Sequence, residues 1–387
     1  MHLEQAVFCF LTRTPEEIHE LRTAAWQKWV LRAHALQSRE DVLFQHAHPE
    51  VQPCLRGKRS LLLEEMARAA GFPAPVLLGH LLRNGCPVFG PFPSWQAFDV
   101  KVVNATKSIK SVLQSAKWVK HAIAGKLRPN EDPEIDRLVL QKTEEEVAAG
   151  KAVGPFSREE LDRDLGDFWV PAPRVGLRQG GSVRPIDDFS VYGHNGTSSS
   201  CESPSSGGVD EIAALIKTFA CALESGMVAR PGGVPGVEEV PICQAYVGKI
   251  EDQIVGRTLD LSKAYKNLAP APAFKSFLVV ALWHPDKRCV VYYKLRAMPF
   301  GARNSVFSFA GFGKALQLIC SVLFVLPSSE FVDDYTQVGL RSDCRARVWV
   351  TKVMHLFGVA SPGGSRTSLE FCSKFPALGV IFDCPPR

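Results

Sequence analysis

Three aspartates in this chain have the makings of a reaction centre. Asp333-Asp334 lies between Glu330-Phe331-Val332 and Tyr335-Thr336-Gln337-Val338, so two turn-prone residues interrupt two strand-prone runs. Two adjacent carboxylates at a hairpin tip offer oxygens to hard divalent cations when a third carboxylate approaches from another strand. Asp260 is the natural third ligand: it ends a short strand and is followed by Ser262-Lys263-Ala264-Tyr265, which turns the chain at once. Two cations about 3.5–4 Å apart, shared by such acids, activate an attacking hydroxyl and stabilise the leaving oxygen of an in-line phosphoryl displacement. An Asp-Asp pair is weak evidence on its own. The chain's Asp content gives roughly 0.7 such pairs by chance, Asp is common in ordinary turns, and a second pair occurs at Asp187-Asp188.

The elements needed to position these acids are readable from spacing. Residues 169–189 form extended segments around Gly180-Gly181, a pair suited to a hairpin turn because both positions accept positive φ; the hairpin carries Arg174, Arg178 and Arg184. Residues 276–283 and 289–295 read as two strands, and a Pro-Phe-Gly turn leads into a helix from about Asn304. Upstream the pattern is helical. Thr14-Pro15-Glu16-Glu17 combines a capping box with Pro at the first helical position, residues 60–70 form a helix stopped by Gly71, and residues 106–126 form another. That last helix carries Lys107, Lys110, Lys117, Lys120 and His121 opposite its apolar side. Such a stripe is suited to a phosphate backbone, though a solvated face is the simpler explanation.

Composition bounds the rest. With 387 residues, 46% hydrophobic and 22% charged, the chain is neither disordered nor of low complexity, and its formal charge of +5 neither demands nor opposes a nucleic-acid partner. Eleven Cys without a C-x-x-C pair argue against zinc and for a reduced, intracellular protein. The apolar runs at 6–11 and 318–326 are too short for a bilayer, so no membrane is expected.

The ordered series Arg184-Pro185-Ile186-Asp187-Asp188-Phe189-Ser190, Asp260-Leu261-Ser262-Lys263-Ala264-Tyr265, Met298-Pro299-Phe300-Gly301-Ala302-Arg303-Asn304-Ser305, Phe331-Val332-Asp333-Asp334 and Ala377-Leu378-Gly379-Val380 resembles reverse transcriptases, most closely those of retrotransposons. The resemblance covers residues 144–383, about three-fifths of the chain. It implies an α/β (α+β) fold of right-hand polymerase type: a palm whose antiparallel sheet bears the aspartates, a fingers subdomain, a helical N-terminal region and no thumb. It further implies RNA-directed DNA synthesis on an RNA or DNA template-primer, with deoxynucleoside triphosphates as substrates and two Mg²⁺ ions, or Mn²⁺, as cofactor.

Residue by residue, Asp260 and Asp333 resemble the metal-binding catalytic aspartates and Asp334 completes the acidic cluster. Arg184 resembles the fingers arginine over the incoming triphosphate. Lys263 brings its backbone near that triphosphate. Tyr265 resembles the aromatic residue that excludes a ribose 2′-hydroxyl, and Phe300 with Gly301 resembles the loop packed on the nascent base pair. Asp187 and Asp188 match a fingers motif and are expected to hold structure. The pattern departs at Phe331, where many relatives have Tyr, and in residues 358–371, where Arg366 stands in place of a proton-donating Lys; Lys374 is a weak substitute.

The expected organisation is residues 1–130 as a helical N-terminal region of unknown role, 131–255 as fingers-like with the 169–189 hairpin, and 256–387 as palm-like, with fingers and palm interleaved. Because a thumb is missing from the sequence, a rival reading is a non-catalytic retroelement remnant that at most binds nucleic acid. A third is an RNA-dependent RNA polymerase, which shares the palm but needs a residue other than Tyr265 at the sugar.

Overall fold

Local chemistry sets the ends of most helices. A computed structural model of the chain describes residues 2–233, 238–248, 254–261, 264–343, 346–358 and 370–384. Helix Pro15–His46 begins with the expected box: Thr14 Oγ1 accepts from Glu17 N–H at 3.1 Å and a Glu17 carboxylate oxygen accepts from Thr14 N–H at 2.8 Å. Ser157 and Glu160 repeat the device ahead of helix Arg158–Leu165. Asp132 caps Pro133–Ala148, whose missing Pro N–H costs nothing at a first turn.

The fold is mixed α/β. A five-stranded sheet holds Ala152–Phe156, Cys289–Leu295, Val279–His284, Pro171–Gln179 and Ser182–Asp187 in that order, antiparallel except for the pairing of Pro171–Pro173 with Val279–Ala281. A smaller antiparallel sheet places Asp334–Leu340 between Ser328–Phe331 and Ile254–Asp260. The terminal hairpin, Lys374–Ala377 with Val380–Asp383, lies over this sheet, its Phe375 ring filling the space that a side chain at Gly256 would need. Gly180 and Gly181 both have positive φ, as the expected hairpin turn requires.

Helix Arg303–Leu318, extended by a π turn over Ile319–Leu323, runs through the centre of the core. Among the described residues it is the one helix long and apolar enough to cross a bilayer; 72% of its apolar window is buried inside the fold. The run at 6–11 belongs to helix His2–Leu11, which buries Phe10 against Phe219 and Tyr246 in a second, smaller core.

Two expectations need correction. Residues 1–130 are not helical throughout: they include a strand, Asp99–Val103, paired with Ser200–Ser203. They share one continuous core with the rest of the chain, since Trp29, Leu62, Met66 and Val112 belong to the same cluster as Val280, Phe312 and Trp349. The helix expected over 106–126 is two helices, Ile109–Gln114 and Ala116–Lys126, meeting at Ser115. Lys120 turns inward: it is buried, donates to Asp162 Oδ1 at 2.7 Å and to the Asp167 carbonyl at 3.1 Å, and lies over the Trp169 ring.

Candidate active site

The strands that carry the acids are in continuous antiparallel register from Ile254 opposite Leu340 to Asp260 opposite Asp334. Directly opposed residues project to the same face with Cβ atoms about 4.5–5.5 Å apart, so Asp260 and Asp334 are neighbours although 74 residues separate them in sequence. Phe331 pairs with Asp334, which makes Val332-Asp333 the hairpin turn. The tip is therefore one residue earlier than expected: Asp334 opens a strand and Asp333 alone of the two lies in the turn. Val332 has φ 56°, a region a β-branched residue rarely enters, and its N–H donates to Ser206 Oγ at 3.3 Å. The Asp333 carbonyl accepts from Leu261 N–H at 2.8 Å, tying the turn to the residue after Asp260.

Their electrostatics follow from this crowding. Burial, then repulsion from Asp333 and Asp260, pushes the Asp334 carboxyl up to about 6. Burial and then Asp333 also raise Asp260, whereas burial raises Asp333. The Arg184 guanidinium pulls Asp260 and Asp333 back down. Among the described residues no three His, Cys, Asp or Glu side chains close into a ready metal cage. What these acids form is a mutually repelling set of hard oxygen donors, which fits Mg²⁺ or Mn²⁺ by donor chemistry: a divalent cation would relieve the repulsion that raises their proton affinity.

Asp260 and Asp333 line a cleft of about 340 Å³, with Tyr265, Phe300 and Pro185 on its walls. Tyr265 is wedged between Phe300 and Phe309, ring centroids 5.7 and 5.4 Å away. Burial, with Asp333 adding to it, holds its phenol up at about 12, so it is neutral at ordinary pH. Gly301 has φ 100° and sits against the Asp187 carbonyl, where a Cβ would collide. Arg184 is exposed on the Ser182–Asp187 strand, close enough to act on the acids. Lys263 lies outside the described residues. Lys374 is exposed on the terminal hairpin, 3.3 Å from Asp383, and does not line the cleft; Arg366 is outside the described residues.

The hairpin is less basic on its surface than its sequence suggests. Arg174 is buried, with Nε 2.6 Å and Nη2 3.0 Å from the two Asp187 oxygens and Nη1 3.1 Å from Glu146. Arg178 pairs with Asp132. Asp187 is thus structural, and so is Asp188, whose Oδ1 accepts from Ser190 N–H at 2.9 Å and Val191 N–H at 3.1 Å. Sequence reasoning missed the far wall of the cleft, made by Lys142, Glu146, Lys151 and Lys266. Lys266 pairs with Glu146, and burial lowers it to about 8. Its position directly after Tyr265 is the one signal that pointed there.

No family model matches the chain, and a search of curated proteins finds no match.

Proposed function

We propose that the chain is an RNA-directed DNA polymerase, with the three-stranded sheet serving as a polymerase palm and the Pro171–Asp187 hairpin as part of the fingers. One observation carries the reading: the register that sets Asp260 opposite Asp334, with Asp333 in the adjoining turn and with Asp260 and Asp333 lining one cleft. Divalent magnesium held by these carboxylates would supply Lewis acidity to an attacking 3′-hydroxyl and to the leaving pyrophosphate. The chain's own residues supply binding and orientation. Arg184 offers fixed positive charge beside the acids, where a triphosphate needs it. Tyr265, locked between two Phe rings, presents a rigid edge to the sugar and so selects deoxyribose over ribose. Gly301 lets the backbone next to Phe300 come close to a base pair. The substrates are deoxynucleoside triphosphates and a template-primer, and the setting is intracellular.

The test is primer extension on an RNA template with and without Mg²⁺. Asp333→Asn is expected to lower extension by roughly 10³-fold, since the Lewis-acid contribution is several kcal/mol. Extension equal to that of the unaltered protein would end the reading.

A further inference from the structure

We propose that the face made by residues 101–121 and the Tyr192-Gly193 turn binds the single-stranded RNA template ahead of the cleft. The inference deepens the reading above and rests on it for the identity of the strand as a template.

Charge is the first argument. Residues 100–130 contain no Asp or Glu but six Lys and one Arg, a segment charge of +7 against +5 for the whole chain. Lys120 is spent on Asp162 inside the fold, whereas Lys101, Lys107, Lys110 and Lys117 are exposed.

An aromatic platform is the second. Trp118 is 61% exposed, and its ring meets Tyr192 edge-on at 5.9 Å and 81°, which holds it upright at the surface. On the other side of the same turn the Lys107 side chain lies against Gly193, in the space a Cβ would occupy. Lys107 N–H and Thr106 N–H both donate to the Gly196 carbonyl, at 2.9 and 2.7 Å. Bases stack on an exposed aromatic ring while lysines neutralise the phosphates between them. A duplex hides the faces of its bases, so the pairing of Trp118 with lysines selects a single strand.

Continuity with the cleft is the third. The loop that carries Tyr192 also carries Asn195, whose Nδ2 donates to the Gly301 carbonyl at 2.9 Å and whose Oδ1 accepts from Arg303 N–H at 2.8 Å. One short segment therefore mounts both the stacking face and the loop beside Phe300. A template strand leaving the base-pair position meets Trp118 and Lys107 next.

The test measures binding of a labelled single-stranded oligouridylate to the full chain by fluorescence anisotropy across a range of salt. Trp118→Ala is expected to weaken binding about tenfold and Trp118→Phe to restore most of it. Lys107→Ala and Lys117→Ala are each expected to reduce the salt slope by about 0.7. A blunt duplex of the same length should bind more weakly and be indifferent to Trp118→Ala. Affinity and slope unchanged by all three alanine variants would overturn the proposal, as would displacement of the oligonucleotide by phosphatidylserine vesicles. Asp333→Asn should leave oligonucleotide binding intact. If that binding depends on Trp118 while no extension occurs with any template, the template assignment falls with the polymerase reading. Extension together with Trp118-independent binding would sink the surface alone.

Discussion

Asp333 sits in its turn at the cost of a strained neighbour. Val332 adopts a left-handed conformation that costs about 1–3 kcal/mol in a residue of its shape, and the bond from Leu261 N–H together with the one from Val332 N–H to Ser206 Oγ holds the turn in place. On the proposed polymerase reading, Tyr265→Ala would remove the ring edge from the sugar and should raise ribonucleotide incorporation relative to deoxyribonucleotide by roughly tenfold or more, a discrimination of about 1.4 kcal/mol; single-nucleotide extension with each sugar measures it, and unchanged selectivity refutes the gate. Gly301→Ala places a methyl against the Asp187 carbonyl at a positive φ, which should cost about 1–3 kcal/mol of stability and raise KM for the nucleotide more than it lowers kcat. The types and order of these residues were legible in the sequence. Their exact placement in the hairpin was not, because a two-residue turn and its flanking strands are set by register, and register is a property of the pairing rather than of either strand.

The hairpin that carries Asp333 also buries an acid that has no ion-pair role in the reading above. Glu330 is buried opposite Tyr335, and its Oε1 has no hydrogen-bond partner among the described residues. Burial pushes its carboxyl up to about 8, with Glu211 and Asp333 adding to the shift and Lys314 opposing it. A folded-state value above the unfolded value of about 4.3 means that the neutral form is the one the fold tolerates. The contribution is complete below about pH 4.3 and is lost as pH rises through about 8. Thermal unfolding from pH 5 to 9 should therefore show this element weakening by on the order of 4 kcal/mol. Glu330→Gln should flatten that dependence, and an unchanged pH profile in the variant would show that the group is already solvated. Nothing in the sequence marked Glu330, since an acid at a strand end reads as exposed. The helix start at Thr14, by contrast, was readable, because a cap is satisfied within three residues of chain. The inward turn of Lys120 depends on Asp162 and Trp169, more than 40 residues away.

Across the molecule, Arg22 links the first long helix to the end of the three-stranded sheet. It is buried, donates to both Asp343 oxygens at 2.7 and 2.8 Å, and satisfies the carbonyls of Phe324 and Val325 at 2.9 and 2.7 Å. Burial raises the Asp343 carboxyl and Arg22 draws it back down. Arg22→Leu leaves an acid and two carbonyls without their donor and should cost about 3–5 kcal/mol in urea unfolding; a loss under 1 kcal/mol would mean that water replaces the guanidinium. The mixed α/β character was legible because helical spacing in the first third gives way to extended segments from residue 169. The union of the opening helices with the remainder was not, since apolar stripes say that a face is buried and never against what.

That union changes what trimming the chain would do. A shortened version starting where the resemblance starts, near residue 144, would leave Phe312 without Trp95 and Trp349 without Trp26, wetting aromatic rings that now meet at 5.9 and 6.4 Å. A defect introduced far upstream, at Trp29 or Met66, would then surface as a silent cleft with every acid still spelled correctly.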